Sequence, residues 1–182
     1  MPSKKWISEA ALDFFETVFI GATVFVIVYL FVGQLLEVSG NSMYPTFKDR
    51  EQIIAEKISI KYQDITRGEV VVFRNPREPA KLLIKRVIGL PGETIKVQNG
   101  FVFINGKQLD EPYLQPNVAT AGKEVITEGV DYKIADESYV VMGDNRVEST
   151  DSRSFGAVTK DLIVGRGLLV YFPLKNFRII SQ

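Results

Sequence analysis

The sequence predicts a mainly β protein, in which an N-terminal transmembrane helix precedes an antiparallel β domain with a small inserted subdomain. Three observations predict this fold. An uncharged apolar run, Val18 to Leu36, stands near the start of the chain. Short apolar segments separated by turn residues occupy most of the remainder. An Asn-Gly pair at 99–100 joins two of these segments, which is the sequence pattern of a tight β-hairpin.

The apolar run is long enough to cross a bilayer as a helix. It contains 19 residues without a charge, and a helix of that length spans about 28 Å. Lys4 and Lys5 precede the run and suit the cytoplasmic interface. Lys48 and Arg50 follow it closely, which weakens the charge asymmetry, but we favour a cytoplasmic N-terminus and an exported remainder.

Two other interpretations of this run are a cleavable secretion signal and a buried soluble helix. A cleavable secretion signal fits Val38-Ser39-Gly40 as a small-residue cleavage site, but the run exceeds a normal signal core and Glu37 follows it. A buried soluble helix would usually carry a polar stripe, which this run lacks. We therefore expect residues 1–36 to form a cytoplasmic tail and a retained anchor, and residues 37–182 to form an extracytoplasmic domain.

The predicted strands follow one another with short connections. They occupy residues 52–55, 70–73, 82–90, 94–98, 101–104, 139–142 and 167–172. A second Asn-Gly pair at 105–106 turns the chain again, so a three-stranded meander is expected. Residues 112–129 are polar and rich in Pro, Gly and Thr, which predicts a loop within an excursion of roughly 107–135. A short helical turn is expected at 159–162.

The composition excludes several kinds of site. The chain has no histidine and no cysteine. The chain therefore excludes disulfides, thiol catalysis, Cys- or His-based zinc sites and Ser-His triads. Lys+Arg and Asp+Glu balance at 22 each, and no polybasic run occurs, so no nucleic-acid partner is expected. No metal or other cofactor is expected either.

A serine and a lysine are candidates for catalysis. Ser42 follows the apolar run by six residues, inside S-G-N-S-M-Y-P-T at 39–46. A serine hydroxyl needs a base, and without histidine the candidate base is Lys85, which shares a strand face with Leu83 and Val87. Burial would lower the lysine pKa and supply a neutral amine. An ordinary loop serine and a lysine that reaches solvent from an edge strand are the structural alternatives.

A third cluster, residues 143–156, is dense in side chains that form directional hydrogen bonds. Its structural alternative is a surface loop with local ion pairs, which contribute little each. A calcium-binding loop is rejected, because Ser149 stands where that motif needs glycine.

Four blocks of sequence, taken in order, resemble the type I signal peptidases, especially their short single-anchor bacterial form. The resemblance covers nearly everything after the anchor. The blocks are S-G-N-S-M-Y-P-T at 39–46, R-G-E-V-V-V-F at 67–73, K-R-V-I-G-L-P-G-E at 85–93, and G-D-N-R-x-x-S-x-D-S-R-x-x-G at 143–156.

The resemblance implies a membrane-bound serine endopeptidase with an antiparallel β signal-peptidase-like catalytic domain. It would remove signal peptides from exported preproteins after small residues, of the A-x-A type. Ser42 would be the nucleophile, with its backbone N–H in the oxyanion hole, and Lys85 the general base. The remaining implied site residues are Ser149, which would orient the lysine amine; Asp151 and Arg153, which would support the loop; Gly40, which offers no side-chain donor to the oxyanion; and Met43, Leu83 and Ile84, which would line the substrate pockets.

The implied partners are preprotein signal peptides and membrane lipid, and the protein export channel remains open as a third. Val147-Glu148 departs from the Asp-Asn that the family often has. A Glu148 carboxylate facing Lys85 would raise the lysine pKa, so we predict that it points away. A self-cleaving repressor is a rival, but the chain has almost no room for a DNA-binding domain. An inactive homologue acting as a membrane-anchored binding subunit also stays open.

Overall fold

The computed structural model describes residues 4–27 and 33–180. The chain begins with a 24-residue helix, α1 (Lys4–Ile27). Large apolar side chains on this helix are exposed, among them Leu12, Phe15 and Phe19 at 68%, 68% and 73%. Within the described residues, no helix combines the length and the apolar character needed to cross a membrane.

The predicted transmembrane run, 18–36, is not one helix. Its first part lies in α1, residues 28–32 lie outside the described part of the chain, and its last part forms strand β1 (Gly33–Glu37). Leu36 of β1 pairs with Ile53 of the next strand. The prediction that the helix continues to Leu36 is therefore wrong, because hydropathy alone does not separate a helical apolar segment from a strand.

The rest of the chain is mainly antiparallel β. The strands after β1 are β2 (Gln52–Glu56), β3 (Val70–Asn75), β4 (Glu78–Gly89), β5 (Thr94–Gln98), β6 (Phe101–Ile104), β7 (Lys107–Gln108), β8 (Tyr132–Lys133), β9 (Ser138–Met142), β10 (Val158–Thr159), β11 (Ile163–Phe172) and β12 (Arg178–Ile179). Two short helices, α2 (Ser59–Tyr62) and α3 (Ser152–Phe155), and 3₁₀ turns at Lys160–Leu162 and Leu174–Asn176 complete the described elements. The 3₁₀ turn at 160–162 confirms the predicted helical turn.

The strands form two sheets. In the larger sheet the order is β1-β2-β11-β3-β4-β9-β10, and β12 pairs with β11. The smaller sheet has the order β7-β6-β5-β8. Asn99 and Gly100 have φ values of 52° and 87°, which confirms the predicted hairpin between β5 and β6.

Buried apolar residues pack against both faces of the larger sheet. Val71, Phe73 and Val87 belong to one cluster, whereas Met43, Phe47, Ile53 and Val72 belong to a second. A third cluster joins the smaller sheet to the larger one through residues such as Ile88 and Ile95. Together these clusters fix β4, which carries Lys85, against the segment between β1 and β2, which carries Ser42.

Candidate active site

The structure brings Ser42 and Lys85 into direct contact. The Lys85 amine donates to the Ser42 Oγ at 2.6 Å and to the Ile84 carbonyl oxygen at 2.9 Å. If the amine is neutral, the same separation lets the serine hydroxyl donate to the nitrogen instead. Lys85 lies within β4 and is only 2% exposed, whereas Ser42 is half-buried in the turn between β1 and β2.

Burial shifts the pKa of Lys85 in the direction that catalysis by a lysine needs. The pKa of Lys85 is lowered from 10.5 to about 8, mainly because burial desolvates the charged amine, with a smaller lowering from the charge of Lys81. The carboxylates of Asp151 and Asp144 oppose this shift without cancelling it. A substantial fraction of Lys85 is therefore neutral in mildly alkaline solution, where a free lysine would be fully charged.

The loop that begins at Gly143 holds the Ser42 turn. The Asn145 N–H donates to the Ser42 carbonyl oxygen at 3.1 Å, and the Thr46 hydroxyl donates to Asp144 Oδ2 at 2.5 Å. Asp144 also accepts from Arg86, at 2.9 Å from Nε and 2.7 Å from Nη2. Because these two side chains are 0% and 3% exposed, removal of either one would leave the other charge buried and unpaired.

Asp144 and Arg86 are not identified as site residues from the sequence alone. Both belong to motifs that the sequence shows, because Arg86 follows Lys85 directly and Asp144 lies inside the 143–156 block. No local sequence pattern indicates that these two residues form an ion pair, because they are 58 positions apart and come together only when β4 pairs with β9.

Asp151 and Arg153 form a second buried ion pair in the same loop. The Arg153 guanidinium donates to the Asp151 carboxylate at 2.9 Å and 2.8 Å, and the Gly143 N–H donates to it at 3.1 Å. Burial would raise the pKa of Asp151, but the hydrogen bonds and the charge of Arg153 outweigh it, so the pKa is lowered. The carboxylate is therefore ionised where it shapes the loop.

Ser149 lies beside the dyad without a hydrogen bond to it in this structure. Its hydroxyl is buried and has no partner at hydrogen-bond geometry, although it is close enough to Asp151 to contribute to the low pKa of that carboxyl. A Cβ added to Gly143 would clash with both the Ser149 hydroxyl and the Ser42 carbonyl oxygen. Ser149, Gly143 and Ser42 are thus closely packed.

An open cleft of about 310 Å³ leads to the dyad. It is lined mainly by two stretches, 36–42 and 81–85, with Ile53, Val72, Glu148 and Thr150 completing the wall. Gly40, Leu83 and Ile84 are among the residues that line the cleft. Met43 does not line this cleft, because it is 1% exposed and packs in the core with Phe47.

The Glu148 carboxylate accepts from the Asn145 side-chain amide at 3.3 Å. No ion pair within 4 Å joins it to Lys85 among the described residues, which agrees with the prediction that it points away from the amine. Within the same residues, no group of three or more acidic side chains is placed to hold a metal ion.

A serine hydroxyl in contact with a buried lysine of lowered pKa, at the end of an open cleft, is the arrangement of a serine hydrolase. Comparison with known proteins narrows this class. The family model described as "Signal peptidase, peptidase S26" matches residues 11–172. The chain therefore belongs to the signal peptidase family and is a peptidase.

Two relatives in sequence agree with this assignment. A signal peptidase I from Bacillus amyloliquefaciens is 38% identical over 93% of this chain and 92% of its own length. Signal peptidase I P from Bacillus subtilis subsp. natto is 37% identical over 93% of each chain. A crystal structure of a signal peptidase I from Enterococcus faecalis V583 is 30% identical, covers 57% of this chain and 97% of that one, and gives a TM-score of 0.48.

Proposed function

We propose that this peptidase cleaves N-terminal signal peptides from exported preproteins after small residues, with Ser42 as the nucleophile and Lys85 as the general base. The observation that carries the proposal is the 2.6 Å contact between the Lys85 amine and the Ser42 hydroxyl. The low pKa of Lys85, about 8, supports it, because only a neutral amine can take the serine proton.

In the proposed mechanism, Ser42 Oγ attacks the carbonyl carbon at the cleavage point while its proton moves to Lys85 Nζ. The C–N bond of the tetrahedral intermediate then breaks, and Lys85 passes the proton to the leaving amine. A water molecule attacks the resulting ester, Lys85 takes the proton of that water, and Ser42 regains its own proton as the acid leaves. We assign the Ser42 backbone N–H to the developing oxyanion, since Gly40 has no side-chain donor.

Substrate binding is proposed to add an extended strand along the cleft between residues 36–42 and 81–85. Leu83 and Ile84 line that cleft, and their apolar side chains would leave room only for small substrate side chains. Ser149 is proposed to orient the lysine amine when substrate is bound, because its buried hydroxyl has no partner here and lies beside the dyad. The Asp151–Arg153 pair would keep that loop in place.

Anchoring to membrane lipid is proposed to occur through the N-terminal segment. The support is the exposed apolar side chains on α1 and the absence of charged residues from 18–27, the part of the apolar run that lies in this helix. The proposed orientation has a cytoplasmic N-terminus and an extracytoplasmic catalytic domain. Alkaline extraction of membranes followed by protease protection would test both points, since release by alkali contradicts the anchor and a protected catalytic domain in intact cells contradicts the orientation.

The test of the dyad uses a detergent-solubilised protein and a preprotein with alanines at an A-x-A site. Ser42→Ala and Lys85→Ala are each expected to reduce cleavage by at least about 10³-fold. The matched controls are Ser59→Ala, which removes a serine that does not line the cleft, and Lys96→Ala, which removes a lysine paired with Asp131 on the other sheet. Cleavage that survives either dyad substitution would refute the assignment, and a wild-type chain without cleavage would favour the inactive homologue.

A further inference from the structure

The last described residues of the chain return to the side of the molecule that carries the nucleophile. After Phe172 the chain makes a 3₁₀ turn and then strand β12, in which Arg178 pairs with Val170 of β11. Ile180 packs against the core cluster that contains Met43 and Phe47. This segment lies beyond residue 172, where the match to the family model ends.

The buried carboxylate of Glu51 accepts hydrogen bonds from two side chains of this segment. Glu51 is 1% exposed, and Arg178 donates to its two oxygens at 3.0 Å and 2.6 Å. Asn176 Nδ2 donates at 2.8 Å and the Lys48 N–H at 3.1 Å. Burial would raise the pKa of Glu51, but the Arg178 hydrogen bond and the smaller contributions outweigh it and lower the pKa. The pair is thus a fully ionised, directional contact.

The same guanidinium also contacts the backbone of the nucleophile turn. Arg178 Nη2 donates to the Thr46 carbonyl oxygen, and the Arg178 guanidinium lies 5.8 Å from the centre of the Phe47 ring. From the other side, the Thr46 hydroxyl donates to Asp144 and accepts from Arg86 at 3.2 Å. Thr46 is therefore held from two directions, four residues after Ser42.

We infer that Arg178 is a positioning residue for the nucleophile: by joining Glu51 to the Thr46 carbonyl, it fixes the turn that places Ser42 against Lys85. The inference rests on the proposed Ser42–Lys85 dyad. A displacement of about 1 Å at a reacting group is enough to reduce a rate by about 100-fold. Arg178 does not line the substrate cleft, so a looser turn should lower kcat and leave KM nearly unchanged.

The experiment compares Arg178→Gln with Arg166→Gln in the full-length protein in detergent. Arg166 is a matched control, because it lies in β11, the strand with which β12 pairs, and also forms an ion pair with a glutamate, Glu69, at 3.0 Å. None of its hydrogen-bond partners belongs to the turn that carries Ser42. Thermal unfolding is measured first, and kinetics are then measured well below both transitions. For Arg178→Gln we expect kcat to fall about 10- to 100-fold, with KM and the midpoint of the pH profile unchanged. Arg166→Gln should keep the wild-type kcat.

Arg178→Lys provides a second test should the glutamine variant fail to fold. A lysine keeps the charge beside Glu51 but lacks the fork that reaches both Glu51 and Thr46, so an intermediate loss of kcat is expected. A wild-type kcat in the folded Arg178 variants would overturn the inference, and so would an equal fall of kcat in Arg166→Gln. Retained cleavage by Ser42→Ala would instead refute the proposed dyad, so the two failures are distinguishable.

Discussion

Replacement of Lys85 by methionine should make the protein more stable near neutral pH while abolishing cleavage. The folded state lowers the Lys85 pKa from 10.5 to about 8. The folded protein therefore binds this proton less tightly than the unfolded chain does, and below pH 8, where both states are protonated, the buried charge destabilises the fold. Since a tenfold change in acidity corresponds to about 1.4 kcal/mol, this destabilisation is about 3 kcal/mol.

Methionine has a similar length and carries no charge, but it loses the hydrogen bonds to Ser42 and Ile84. Each such bond contributes about 1 kcal/mol, so the net gain expected at pH 6.5 is about 1–2 kcal/mol, or a rise in Tm of roughly 2–8 °C.

The assay is urea unfolding of wild type and Lys85→Met in detergent, at pH 6.5 and again near pH 10. The difference in unfolding free energy between the two proteins at each pH removes the contribution of titratable groups that both proteins share. As pH rises from about 8 towards 10.5 the wild-type lysine loses its proton in the folded state, so the advantage of Lys85→Met should shrink. A variant that is less stable than wild type at pH 6.5, with a difference that does not change with pH, would refute the argument that the amine is desolvated.

Two further substitutions test the surroundings of the dyad. Gly143→Ala should reduce cleavage by more than about 100-fold and destabilise the fold by about 1–3 kcal/mol, because the added methyl group meets the Ser42 carbonyl oxygen and Ser149. The control is Gly21→Ala, where no atom lies within 4 Å of the added methyl group. Normal cleavage by Gly143→Ala would contradict the close packing of Gly143 against Ser42 and Ser149. Glu148→Gln should leave the midpoint of the pH–activity profile unchanged, because the carboxylate contacts Asn145 rather than Lys85. A carboxylate near the Lys85 amine would raise the lysine pKa, so a fall of the midpoint by about half a pH unit or more in this variant would show that Glu148 faces the amine.

Local patterns were sufficient to predict much of the sheet structure. The Asn-Gly pairs at 99–100 and 105–106 impose positive φ values, and β5 and β6 were predicted with the bounds that the structure has. The alternation in β4 placed Lys85 on the face of Leu83 and Val87, and those two residues do share one cluster. These features depend on neighbours in the sequence, which is why they can be inferred from it.

Non-local features could not be predicted in the same way. The position of β11 between β2 and β3 depends on backbone pairing between distant segments, for which the sequence carries no local signal. The buried pair of Glu51 and Arg178 joins positions 127 residues apart. The apolar residues of β1 were predicted as helix because they continue a hydrophobic run, whereas pairing with β2 decides their conformation.

In the proposed mechanism a buried Lys85 with a lowered pKa activates Ser42 once its amine has lost its proton, and the pH dependence of kcat/KM tests this most directly. A preprotein without titrating side chains near its cleavage site would be cleaved by the detergent-solubilised enzyme between about pH 6 and about pH 10.5, since kcat/KM follows the ionisation of the free enzyme. The structure predicts a rise with pH that is half complete near pH 8, where the pKa of Lys85 lies. A rate that rises only near pH 10.5, or that does not change over this range, would contradict the claim.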